Sequence, residues 1–312
     1  MPSARSASPS SRAAETGAVS AASAASADSR TEPYWFQWAL AQPGESRRVR
    51  VGEVDLYCLG WSLADTHKPL LLLVHGHRAH AHWWDHIAPF LARTHRVIAM
   101  DLSGMGDSGW RDVYPRDVGA LDIVSLLRAL ELGPASVIGH SNGGVRALTA
   151  AGLAPELFQR VIAIDSYIVF EGGRHPTQPA GLRGDRVYPD LATGLGRYRL
   201  LPEQALIEPW ALAHVARHAL REVEGGWRWK FDPSMPSGLD YETDGEVLLA
   251  AVRCPVHYVY GGASAVIDAP LAQRIVRLLP QGHGPVVVPG GYHHLMFDQP
   301  VALIATLQAL LA

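Results

Sequence analysis

Short aliphatic runs that alternate with helically spaced segments constrain this chain more than any other feature. Pro69 to Val74 ends at His75-Gly76, Arg96 to Met100 ends at Asp101, and Arg160 to Ile164 ends at Asp165; Ala135 to Ile138, Val256 to Tyr260 and Pro285 to Val288 are further runs. Between them Trp83 to Ala92, Asp122 to Leu132, Gly143 to Leu153, Pro270 to Leu279 and Val301 to Leu311 carry helical spacing. A strand that is apolar at every position must be covered on both faces, and the alternation with helices makes the sheet mostly parallel. Upstream, Val49, Val51, Val54, Leu56 and Cys58 are spaced for a hairpin that turns at Gly52-Glu53. The regularity fails between Ser166 and about Glu246, a stretch with Trp210, Trp227, Trp229, several prolines and Gly-rich turns. That segment, about residues 167–244, is expected to be an inserted cap. No internal repeat is evident.

Composition narrows what such a domain can meet. The 312 residues are 48% hydrophobic and 18% charged, which suits one large domain over residues 33–312. Lys plus Arg total 27 against 30 for Asp plus Glu, so no strong field draws nucleic acid or an anionic membrane surface. A small neutral or weakly polar molecule is the expected partner; the oligomeric state stays open. Cys58 and Cys254 have no metal-type spacing and read as buried free thiols, consistent with a cytoplasmic setting. Residues 1–32 are Ala- and Ser-rich and are expected to be a disordered tail. Ala18 to Ala27 is too weakly apolar for a secretory signal, and Glu15 and Asp28 count against a transit peptide. No stretch reaches the roughly 18 apolar residues of a membrane span.

The chemistry centres on Gly139-His140-Ser141-Asn142-Gly143-Gly144, where a strand becomes a helix. A serine on that turn can act as a nucleophile if its neighbours are small, as Gly139 and Gly143 are, and the amide of Asn142 at the helix start can stabilise an oxyanion. A second donor is expected from His75-Gly76-His77-Arg78, with the amide of His77 as the candidate. A serine hydroxyl needs a base, and His293 in Gly290-Gly291-Tyr292-His293-His294 is the choice, with His294 as its rival. His75, His77, His80, His82 and His86 crowd one region, but no HExxH helix or Cys/His framework accompanies them, so no metal or cofactor is expected. Trp83 and Trp84 either line a pocket or pack.

Over about Val49 to Ala312 these features resemble the α/β-hydrolase superfamily. Leu72-Leu73-Val74-His75-Gly76 is similar to the family's oxyanion loop, Arg96 through Ser108 to the stretch that follows it, and Ser141 to the nucleophile elbow. Gly291 through Pro300 is similar to the terminal block, whose histidine stands seven positions before a proline, here His293. The resemblance implies an α/β fold: an eight-stranded, mostly parallel sheet with helices on both faces and an inserted cap over the site. The chain departs from the pattern at the acid. Members usually carry it after the seventh strand as Gly-x-x-Asp, whereas this chain has Gly261-Gly262-Ala263-Ser264. Some relatives place it after the sixth strand, where Asp165 stands; Asp165 is therefore the expected acid, with Asp268 as the substitute and a simple strand-end cap as the bland alternative. The order Ser141, Asp165, His293 matches the superfamily's order.

The expected activity is hydrolysis of a carboxylic ester through an acyl-enzyme on Ser141, by a carboxylesterase-like enzyme without cofactor. Thioester, amide and carbon–carbon hydrolysis stay open, since fold and triad do not select the acyl group. The rivals are a non-catalytic binding protein of the same fold and a metal-dependent hydrolase built on the His75 to His86 cluster.

Overall fold

The computed structural model describes residues 31–171, 186–235 and 244–312. Most of the expected tail, and residues 172–185 and 236–243 of the expected cap, lie outside the described residues.

The expected hairpin forms β1 (Glu45–Val51) and β2 (Val54–Trp61), joined at Gly52-Glu53. The apolar runs become β3 (Leu70–Val74), β4 (Arg96–Met100), β5 (Ala135–His140) and β6 (Phe158–Ile164). A separate short hairpin supplies β7 (Leu220–Val223) and β8 (Gly226–Trp229), after which β9 (Val256–Gly261) and β10 (Gly282–Val288) complete the main sheet. Its order is β1-β2-β4-β3-β5-β6-β9-β10. From β4 to β10 every pairing is parallel, and β1 and β2 form an antiparallel edge.

The helices are α1 (Tyr34–Leu40), α2 (Ala88–Leu91), α3 (Val118–Leu130), α4 (Asn142–Leu153), α5 (Leu191–Leu195), α6 (Pro209–His218), α7 (Gly245–Ala251), α8 (Ala269–Leu278), α9 (Leu295–Asp298) and α10 (Pro300–Leu311). They cover both faces. Leu70, Leu72 and Val74 pack in one core with residues of α3, α4, α7 and α8; Leu71 and Leu73 pack in a second core with residues of α1, α2, α6 and α10. All five β3 side chains are buried, which is why no polar residue interrupts that run. Each buried leucine contributes about 1.5–3 kcal/mol relative to an exposed one.

Two segments differ most from the expected bounds. The helix expected from Asp122 to Leu132 begins at Val118 and stops at Leu130, because Glu131 adopts a left-handed backbone at φ 50°. Asp122 is buried in the second turn and accepts from Ser103 and Arg111. Trp83 to Ala92 is not one helix but a 3₁₀ turn at Ala81–Trp84 followed by the single turn of α2. Pro89 explains the break, since its ring has no N–H to donate back and clashes with a continuing helix. Among the described residues no helix is long and apolar enough to cross a membrane.

Candidate active site

Parallel strands of such a sheet present functional groups at their carboxyl ends, and here β3, β5, β6, β9 and β10 each deliver one part of a single cluster. Ser141 follows β5 and precedes α4 with φ 53° and ψ −123°. A non-glycine residue there costs on the order of 1–3 kcal/mol and persists only where its surroundings over-determine it. They do so: the Ser141 amide donates to the Ile164 carbonyl at 2.8 Å, continuing the β5–β6 ladder past its end. A Cβ on Gly139 would stand 2.5 Å from the Gly143 carbonyl oxygen, and one on Gly143 would run into the carbonyls of Val74 and His75. The two glycines therefore let the turn close and let α4 start against the loop after β3.

Asp165 ends β6 with the same kind of backbone, φ 47°, and its amide donates to the Val259 carbonyl at 2.8 Å. Its fully buried carboxylate is surrounded by donors. Oδ1 accepts from His293 Nδ1 at 2.7 Å and from Ser264 Oγ at 2.7 Å, and Oδ2 accepts from the Gly261 amide at 2.9 Å. Because an ionised carboxylate only accepts, Nδ1 of His293 carries a hydrogen, and in the neutral ring the lone pair is then on Nε2. That lone pair faces Ser141 Oγ at 3.0 Å. Ser141, His293 and Asp165 thus form one hydrogen-bonded line.

The neighbouring groups hold this line in place. His140 Nε2 donates to the His293 carbonyl at 2.9 Å, and burial keeps the His140 ring well below the ordinary imidazole range. His294, the rival base, turns away: its Nδ1 and its amide both donate to Gln204 Oε1, at 2.8 and 3.0 Å. Burial, then the adjacent His293, keeps its ring well below the usual range too. Asp268, the substitute acid, is exposed and caps α8 by accepting from the Leu271 amide at 2.8 Å.

The loop after β3 lies beside Ser141, since a Cβ on Gly76 would stand 3.4 Å from that of Ser141. His75 pins it. Its Nδ1 donates to the Gly76 carbonyl at 2.7 Å while its Nε2 accepts from the Leu102 amide at 3.1 Å, a pattern only the neutral ring can make. Burial accordingly pushes its pKa down to about 4. His86 is likewise buried and donates from Nε2 to the Met296 carbonyl. His75 and His86 are thus held by backbone groups, whereas His82 meets Asp85. Trp83 and Trp84 are both buried, and Trp83 packs edge-on against Phe297 and His294.

Sequence reasoning missed Ser264. The signal was present, because Ser264 occupies the place in Gly261-Gly262-Ala263-Ser264 where an aspartate was sought, and its hydroxyl donates to the Asp165 carboxylate.

Comparison with known proteins agrees with this architecture. A sequence model described as "Alpha/beta hydrolase family" matches residues 71–306. An esterase of Mycobacterium tuberculosis is 26% identical over 284 residues, covering 86% of this chain and 89% of the relative. The magnesium-chelatase 30 kDa subunit of Rhodobacter capsulatus is 30% identical over 251 residues, covering 75% and 83%. The crystal structure of E-2-(acetamidomethylene)succinate hydrolase superposes with a TM-score of 0.72 at 26% identity, covering 85% of this chain and 98% of that one.

Proposed function

The chain belongs to the alpha/beta hydrolase family and is an enzyme, a hydrolase of that fold, and on this premise we propose that it cleaves a carboxylic ester through an acyl-enzyme on Ser141. The observation that carries the reading is the line Ser141 Oγ, His293, Asp165, with contacts of 3.0 and 2.7 Å, on a strained strand-to-helix turn. Ser141 Oγ attacks the substrate carbonyl while His293 Nε2 takes its proton. Asp165 stabilises the imidazolium that forms, and the same proton then goes to the departing alcohol. The amides of Asn142 and His77 are the proposed donors to the tetrahedral oxyanion. Water, deprotonated by the same nitrogen, releases the acid.

The ester is favoured over a thioester, an amide or a carbon–carbon bond by the esterase among the relatives, and these other acyl groups are the alternatives. The excursion over about residues 167–244, with α5, α6 and the β7–β8 hairpin, is the proposed cap that selects the acyl group. Gln204 of that excursion already grips His294, one residue from the base. The two cysteines are free and buried, which supports placement in a reducing compartment such as the cytoplasm.

A fluorophosphonate probe tests the core of this reading. Stoichiometric labelling that vanishes in Ser141→Ala, with hydrolysis of p-nitrophenyl esters lost in the same variant, is the expected result. A folded wild-type chain that neither labels nor hydrolyses esters, thioesters or anilides is a binding protein, and the proposal falls.

A further inference from the structure

One cluster of chemistry-bearing side chains takes no part in the Ser141 line. His82 and Asp85 lie on and just after the 3₁₀ turn that follows the His77 loop, and His214 and His218 are one turn apart on α6 of the excursion. Asp85 Oδ2 accepts from both His82 Nδ1 and His214 Nε2 at 2.8 Å. The rings of His82 and His218 stack at 3.7 Å, and those of His214 and His218 are 5.0 Å apart. One ligating atom each from His82, Asp85 and His218 lies within 4.8 Å of the others. His80 borders the group with its ring 5.9 Å from His82 and 6.5 Å from His218; it is 2% exposed, and neither of its ring nitrogens has a hydrogen-bond partner.

We propose that His82, Asp85 and His218 bind a divalent transition-metal ion, with His80 and His214 beside them, and that the ion pins α6 to the loop after β3. Tetrahedral zinc with ligands at roughly 2.0–2.2 Å needs donor atoms roughly 3.4 Å apart. An ion there therefore requires side-chain rotation that unstacks His82 from His218 and draws the donor atoms, now within 4.8 Å of one another, to that spacing. Imidazoles with one carboxylate select zinc, cobalt, nickel or copper, whereas magnesium and calcium require a mostly oxygen set. His214 supplies the outer hydrogen bond that commonly orients a ligating carboxylate. His80 explains itself in the same way, because a buried imidazole with two idle nitrogens is costly unless something in the cluster uses one of them. The ligands come from both sides of the contact between α6 and the 3₁₀ turn, so an ion there ties the excursion to the segment that bears His77. This inference stands apart from the ester reading, since it concerns binding alone.

The test uses the full chain without a histidine tag. Calorimetric titration with zinc chloride is expected to give saturable binding at one ion per chain, with a rise of several degrees in melting temperature. Cobalt(II) is expected to show intense visible bands of a tetrahedral site, and zinc is expected to slow hydrogen exchange in α6. His218→Gln and, in case that variant fails to fold, His82→Gln are each expected to weaken zinc binding at least about tenfold, whereas His86→Gln, outside the cluster, leaves it unchanged. Absence of saturable binding, equal affinity in the folded cluster variants, or binding without added protection in α6 overturns the proposal.

Discussion

Replacing Asp165 by asparagine probes the proposed mechanism most sharply, because the side chain keeps its shape and loses only charge and one acceptor. The structure fixes how the amide must sit. If its NH2 took the place of Oδ2 it would face the Gly261 amide, 2.9 Å from Oδ2, donor against donor. It therefore takes the place of Oδ1, where the Ser264 hydroxyl hydrogen can rotate away while its oxygen keeps accepting from the Val266 and Ile267 amides. There it donates to His293 Nδ1, which must give up its hydrogen. The proton moves to Nε2, the nitrogen 3.0 Å from Ser141 Oγ, and the base can no longer accept from the serine. The same change in a serine protease triad costs about 10⁴ in turnover. A loss of about 10² to 10⁴ is expected here, or about 2.7–5.5 kcal/mol of transition-state stabilisation at 1.36 kcal/mol per decade. Initial rates on p-nitrophenyl esters and the rate of fluorophosphonate labelling read it out, with the melting temperature as a control for folding. Ser264→Asp in the same background is expected to restore part of the rate, since side chain 264 ends 2.7 Å from the lost oxygen. A folded Asp165→Asn enzyme that loses less than about tenfold, or an Asp268→Asn enzyme that loses more, refutes the assignment.

Gly143→Ala would drive a methyl into the Val74 and His75 carbonyls, and is expected to cost about 2 kcal/mol or more by urea unfolding and to slow ester turnover with it; unchanged stability would mean that α4 shifts freely. Burial lowers the pKa of His75 and His86 to about 4, so between about pH 6.5 and 4 the unfolded chain binds more protons than the native one and stability falls as pH falls, by at most about 3 kcal/mol per group. Urea midpoints across that window should fall less steeply in His86→Gln than in the wild type, and parallel curves would contradict the burial argument. Trp229 packs against Tyr188 and Tyr198 and donates to the Tyr188 hydroxyl. Trp227→Ala and Trp229→Ala are expected to change relative rates across esters of graded chain length; uniform slowing with a lower melting temperature would assign both to packing alone.

Local pattern sufficed for the sheet, because a strand buried on both faces admits only apolar residues, and β4 spans the residues its aliphatic run marked. The serine turn was legible in part for a similar reason: Gly139 is demanded by the nearby backbone of Gly143 and Gly144, whereas Gly143 is demanded across the fold by the carbonyls of Val74 and His75. Choosing His293 over His294 used spacing to Pro300, and the packed structure supplies the reason in Gln204, which holds the second histidine from some ninety residues away. Asp165 is the expected acid from its place after the sixth strand, but the partner that completes its surroundings was decided in space. Asp165 and Ser264 are 99 residues apart and meet only because β6 and β9 are neighbours in the sheet, so a hydroxyl at one strand end donates to the proposed acid at another. What each member of the histidine run from His75 to His86 does was likewise decided in space. Its members diverge into a loop staple, a core donor and a cluster completed by His214 and His218, and periodicity along a chain carries no information about which helix will be packed across from it.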